Sequence, residues 1–254
     1  MVALIQADLL KTRKRLMGWV IFSIGLVLIT IIMIVMAFQP GTAQDAGMTM
    51  RFPNGLLFGP QIFAQSLGTF LAIIFSASLV GNEYGYDMWK NLLIRYSERT
   101  FFIVSKWVTL VLTITLGMLG MAFWSQILGL VTGMGSQGEV LNLTTIVLEI
   151  GLHTLLLIAI GSIALLGTVV LRSTVAGIII GIMWTMLDGI AAAVPFVPEV
   201  LKLYLFSPIQ TNLLAHIHSQ PTMVSAAWSL FILGSYLVVP VALAALIFRQ
   251  RDVT

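Results

Sequence analysis

The chain has 254 residues, 59% of them hydrophobic and only 9% charged, with a mean hydropathy of +1.03. Soluble domains carry about 25% charged residues, and a fold of this length needs a polar exterior that so few charges cannot furnish, so a water-soluble enzyme is excluded and a membrane-embedded protein remains. The absence of cysteine excludes disulfides, thiolate chemistry and cysteine-ligated metal sites, and the net charge of +3 is too small and too scattered to point to a nucleic-acid partner.

Residues 1–16 place Val2, Ile5, Leu9 and Leu16 on one side of a helix and Asp8, Lys11 and Arg15 on the other. A basic amphipathic helix suits the headgroup boundary, so this stretch reads either as an interfacial helix or as a plain extension of the first span. Uninterrupted uncharged intervals then mark the crossings: 29 positions between Arg15 and Asp45, 31 between Arg51 and Glu83, 32 between Lys106 and Glu139, and 22 between Glu149 and Arg172. Each exceeds the roughly 20 residues a helix needs to cross hydrocarbon. The apolar run Leu16–Phe38 is too long for the core of a cleaved signal peptide and reads as the first span. From Arg172 the chain is apolar to Val194 except at Asp188, and 46 uncharged positions separate Lys202 from Arg249, more than one span requires. The expectation is an all-α integral membrane protein with six transmembrane helices at about 17–38, 60–80, 106–131, 145–171, 173–194 and 225–248, forming one domain over 1–254.

With the N-terminus inside, eleven Lys and Arg residues face the cytoplasm and only Arg51 and Lys202 face out. That bias puts both termini in the cytoplasm. Residues 81–105 then form a cytoplasmic loop that, with Lys106, holds seven of the 23 ionisable side chains. Tyr84, Met88 and Leu92 share a helical face, with Tyr86, Trp89 and Leu93 beside it. A bare connector has little use for an aromatic helical face. Such a helix either enters a groove on another protein or rests its rings at headgroup level. Residues 195–222, on the outer side, carry four prolines, two glutamines, an asparagine and two histidines among leucines. They read as two short re-entrant helices, since broken backbone is tolerated at that depth only under protein cover.

The inner loop carries a recognisable pattern. Glu83-Tyr84, then Met88-Trp89-Lys90-Asn91-Leu92-Leu93, then Ser97-Glu98-Arg99, then Ser105-Lys106 look like E-Y…T-W-K-x-L-L…P-x-S-R…S-K, with Met88 in the Thr position and Tyr96 where a Pro is common. The chain thereby resembles the type-2 ABC-transporter permeases, in particular the six-span subunits of bacitracin-resistance and lantibiotic-immunity exporters, over essentially its whole length. The resemblance implies a dimeric permease in the bacterial cell membrane, seated on separately encoded ATPase subunits that bind the ATP and magnesium. It also implies that the helix near Glu83–Arg95 is a cytoplasmic coupling helix, with Glu83, Tyr84, Met88, Trp89, Leu92, Arg95 and Arg99 making or fixing the ATPase contact. The second permease copy would be identical or a similar subunit.

The chain has no G-x-x-x-x-G-K-[ST] and no H-E-x-x-H, so it carries no P-loop of its own and no cofactor or metal site is expected. Counting from Arg172 at ~1.5 Å per residue puts Asp188 about 24 Å, His153 about 28 Å and Glu149 about 35 Å up the bundle. Glu149 therefore reads as an ordinary interfacial residue. Asp188 shares a face with Ser173, Gly177, Gly181 and Trp184, where it either bonds within the assembly or lines a pathway. A proton- or ion-coupled secondary transporter using Asp188, Glu149 and His153 is the competing function, although such carriers place ionisable groups near the midplane. An intramembrane hydrolase built on Ser162 with His216 or His218 lacks any surrounding motif.

Overall fold

The computed structural model describes residues 6, 8, 10–11, 16–38, 52–85, 99–132, 141–195, 198–222 and 224–250, and among them there is no strand. The long helices are α1 (Leu16–Phe38), α2 (Gly55–Phe63) continuing through a π-helical turn (Ala64–Gly68) into α3 (Thr69–Gly85), α4 (Arg99–Thr132), α5 (Leu143–Leu171), α6 (Thr174–Ala193) and α9 (Ala226–Gln250). Two short helices, α7 (Glu199–Lys202) and α8 (Phe206–Ile217), occupy the Pro-rich stretch between α6 and α9. Among the described residues six helices are long and apolar enough to cross a membrane, the second being α2–α3 taken together from Gly55 to Tyr84. The chain is a multi-pass membrane protein.

Two boundaries differ from the sequence expectation for a physical reason. The second span starts at Gly55 rather than near residue 60, because α2 runs through Pro60, a buried interior proline of the kind that packed membrane helices tolerate. The third begins at Arg99 rather than Lys106. A charged residue ends a lipid-facing run, but it does not end a helix when a counter-charge is waiting.

Lipid offers no hydrophobic drive between helices, so the bundle depends on close backbone approach and polar contacts. The central helix is α5, packed by α3, α4, α6 and α9 and buried over most of its length, while α6 and α9 leave most of theirs exposed. Asn142 caps its start by accepting from the Thr144 N–H at 3.2 Å. Arg172, at φ 52°, ends it and reverses the chain directly into α6. Gly177 and Gly181 let α6 lie against α5 and α3: a Cβ at Gly177 would collide with Thr168 and the Ala164 carbonyl, and one at Gly181 would come within 2.7 Å of Ile73.

The second span bends at the π-turn, where Ser66 leaves helical geometry (φ −101°, ψ −107°) and donates its hydroxyl to the Ile62 carbonyl at 2.6 Å. A serine bonding back one turn is a recognised cause of helix bending. Phe206, Ile209 and Leu213 of α8 turn inward onto Leu152, Leu156 and Ile160 of α5 and onto Ile232 and Leu233 of α9. The re-entrant segment is thus covered by protein, as its broken backbone requires. The bundle has two ends, one where α3 meets α4 around Lys106, the other where α8 meets α5 and α6.

Candidate functional site

At the Lys106 end, four charges from three segments converge. Lys106 Nζ stands 2.6 Å from Asp8 Oδ1 and 2.6 Å from Glu83 Oε1, and Lys11 Nζ is 3.3 Å from the same Glu83 oxygen. Ser105 Oγ lies 3.2 Å from Asp8 Oδ2, and the Lys106 ammonium sits 5.2 Å from the Phe102 ring centroid. Two acids and two bases cancel. Asp8, Glu83 and Lys106 are all buried, while Lys11 reaches solvent. In a low dielectric such a set holds only while every member is present: removing one partner of a buried pair costs about 3–5 kcal/mol, because the other charge is left uncompensated.

This geometry revises two sequence expectations. Asp8, placed on the solvated side of the first amphipathic stretch, is 5% exposed and faces Lys106. Glu83, expected at the ATPase contact, is 1% exposed, with one carboxylate oxygen taken up inside the chain and the other, Oε2, without a partner. Tyr84 packs beside the Val80, Phe102 and Phe248 cluster, where Phe102 and Phe248 stack at 5.4 Å. Met88, Trp89, Leu92 and Arg95 lie outside the described residues, and Arg99 opens α4 with its side chain likewise undescribed. What the structure adds is Lys106 and Lys11 as partners of Glu83, with Asp8 on the same Lys106 ammonium and Ser105 donating to Asp8. The signal was in the sequence: Ser105-Lys106 belongs to the same pattern as Glu83, yet nothing in a linear reading says that the two ends of a loop pair with each other.

At the opposite end, Asp188 closes the N-terminus of α8. Its Oδ1 accepts the Phe206 N–H at 2.6 Å, and its Oδ2 accepts the Ser207 N–H at 2.9 Å and the Ser207 hydroxyl at 2.6 Å. A carboxylate at a helix N-terminus meets unsatisfied N–H groups and the positive end of the dipole. Glu149, read from its height as interfacial, is buried at 3% exposure, with His218 Nε2 2.6 Å from its Oε1. Height along a helix says nothing about which way a side chain turns. His153, one turn further along α5, engages its own helix through Nδ1 at the Glu149 carbonyl (2.8 Å), and its buried Nε2 has no partner. Gln126 of α4 is also buried with neither amide atom paired.

The remaining candidates hold ordinary contacts. Ser162 donates to the Ile158 carbonyl at 2.8 Å and accepts from Trp107 Nε1 at 3.0 Å, a packing contact rather than a nucleophile beside a base. His216 Nε2 meets the Val224 carbonyl at 2.8 Å. Among the described residues no group of three metal-ligating side chains comes together.

The described residues thus form a helical multi-pass bundle with a buried ionic knot at one end and a capped short helix at the other. Residues 4–188 match the family described as ABC-2 family transporter protein, and the chain belongs to that family. The matched stretch takes in Asp8, Glu83 and Lys106 and ends at Asp188, with α8 and α9 beyond it. A comparison with curated proteins gave no match.

Proposed function

We propose that the chain is the permease subunit of an ATP-binding-cassette exporter, moving an amphipathic or hydrophobic substrate outward under the drive of a separate ATPase. Family membership supports a transport component of this kind. The observation that carries the mechanism is the ionic knot: Glu83 at the end of α3, Lys106 near the start of α4 and Asp8 of the N-terminal segment are one body. The 86–98 segment runs between Glu83 and α4, so a push on it from the cytosol reaches three parts of the bundle together. Met88, Trp89, Leu92 and Arg95 would meet the ATPase. Glu83 acts through Lys106 as an anchor for that handle, not as a contact surface. ATP-driven closure of the ATPases would then shift the population between two arrangements of the bundle.

The Lys106 end is cytoplasmic in this proposal, with both termini inside and α7–α8 outside, in keeping with eleven of thirteen Lys and Arg residues on one side. A second permease copy, identical or similar, completes the assembly, and ATP with its magnesium belongs to the partner. A secondary transporter using Asp188, Glu149 and His153 draws less support, because both Asp188 oxygens are occupied by the backbone and hydroxyl donors of α8.

The test is capture of the intact complex from its native membrane. A P-loop ATPase is expected to copurify with the tagged chain, and Trp89→Ala with Leu92→Ala is expected to lose it while the chain stays folded and membrane-inserted. Retention of the ATPase by that double variant, or absence of any nucleotide-hydrolysing partner from the wild-type complex, would sink the proposal.

A further inference from the structure

Both arms of the bent second span line a cavity of about 360 Å³. Phe63 before the π-turn and Gly68 and Phe75 after it form one wall, and the stretch of α4 from Thr113 to Met121 forms another, with α1 and Leu157 of α5 completing the lining. Gly117 lies on the α4 wall, and a Cβ there would meet no atom within 4 Å, so the space at that position exists because the residue is glycine. Protein interiors hold few voids larger than a water molecule, since the lining of an empty one forfeits its dispersion contacts. A void of this size therefore calls for an occupant.

Chemistry, depth and shape name that occupant. The lining has no ionisable side chain, and its polar side-chain atoms are confined to Thr113 and Trp19, too few for water, which needs about two to four polar partners. The α4 wall begins seven positions beyond Lys106 and ends fifteen beyond it, which at ~1.5 Å per residue lies roughly 10–22 Å from the ionic knot, in the middle of a hydrocarbon layer about 30 Å thick. Of the lining residues only Trp19 of α1 and Leu116 of α4 are exposed, at 56% and 64%, so the mouth opens sideways between those helices into the bilayer core. Spread along the ~12 Å of the α4 wall, the volume leaves a cross-section of about 30 Å², room for a hydrocarbon chain and too little for a helix about 10–12 Å across. We infer that the cavity is a binding site for one acyl chain of a membrane phospholipid, which enters laterally between α1 and α4 and lies beside the π-turn. The idea requires only that the bundle spans a bilayer, so it stands apart from the transport proposal.

Lipid tails are as apolar as leucine, so the chain gains nothing by leaving its neighbours for the protein except better contact. What holds it is the dispersion that the empty lining lacks, from rings such as Phe75 and from the adaptable thioethers of Met118 and Met121. The site thus selects by width and depth, not by charge. A phospholipid headgroup stays at the membrane surface, so the part of the chain that reaches this depth is its far end. A side chain on Gly117 would take the same space, and because nothing stands in its way it would do so without displacing the helices.

The test is carbene labelling of the full chain in nanodiscs of one synthetic phosphatidylcholine, doped with the same lipid carrying a diazirine either at the chain terminus or beside the ester. After illumination, mass spectrometry of the peptides is expected to place adducts of the terminal probe on Phe75 and Met118, which are 6% and 1% exposed and reachable only from inside the cavity. The ester-proximal probe is expected to miss both. Gly117→Leu is expected to lose the adducts on Phe75 and Met118, to keep those on the exposed Val239 of α9, and to melt no lower than the wild type, because it fills a void. Wild-type adducts at Phe75 and Met118 that are absent, or equal for the two probes, overturn the inference without recourse to any variant. Adducts that survive Gly117→Leu also overturn it, as does labelling of the cavity by a small aryl diazirine but not by the lipid chain.

Discussion

At the scale of single residues, the buried charges among the described residues stand beside specific partners. Lys106 is the extreme case, a buried ammonium shared between Asp8 and Glu83. Lys106→Met is expected to remove the ammonium that Asp8 and Glu83 share and to lower stability by about 3–5 kcal/mol, with Asp8→Asn and Glu83→Gln less damaging in that background than alone. Thermal unfolding of the three single and two double variants in detergent checks both the size and the non-additivity. Asp188→Asn keeps one oxygen acceptor but loses the charge that answers three donors, so its expected cost is about 1–3 kcal/mol. Hydrogen–deuterium exchange should show it as faster exchange at the Phe206 and Ser207 amides, with α5 unaffected.

At the scale of elements, close approach of α6 to α5 rests on missing side chains. Gly177→Val would push a branched side chain into Thr168 and the Ala164 carbonyl, and Gly181→Val into Ile73. Overpacking of this kind costs about 1–3 kcal/mol. Gly189, on the same helix, has open space around its Cβ position, so Gly189→Ala is expected to change stability by no more than about 0.5 kcal/mol. Comparing the three melting curves separates a packing role of the glycines from a general loss of helix propensity. The re-entrant segment follows the same logic in polar terms: α8 can sit within the bundle because its apolar face meets α5 and α9 and its first N–H groups are answered by Asp188.

At the scale of the whole molecule, the proposed orientation puts Gln250 and Gln220 on opposite sides of the membrane. A cysteine at 250 is expected to react with an impermeant maleimide only in inside-out vesicles, and one at 220 only in right-side-out vesicles. The same reaction pattern at both sites would reject the six-crossing topology. The class of protein and the number of crossings were legible in the sequence because hydrocarbon imposes a length and an apolarity that no other environment demands of a helix. The two short helices between Pro195 and Thr222 were legible for a related reason, since prolines and amides interrupt an apolar run in a way lipid does not tolerate unaided. The pattern from Glu83 to Lys106 likewise contained both members of an ion pair before any contact was known.

Pairing was not legible. Asp8 and Lys106 are separated by 97 intervening residues, and Glu149 and His218 by 68. Nothing in the spacing of either pair distinguishes a buried bond from two solvated charges. Helical periodicity gives the phase of a side chain around its own axis, but the neighbour it meets depends on how the helices cross. That crossing is decided by packing at positions such as Gly177 and Gly181 and by the break at Ser66. Length and hydropathy thus settled that this chain is a membrane protein with six helices, among the described residues, long and apolar enough to cross. Only the tertiary structure decided that Glu83 is buried against Lys106, that Asp188 caps a helix and that Glu149 lies beside His218, because burial and ion pairing are properties of contacts between segments and not of any segment alone.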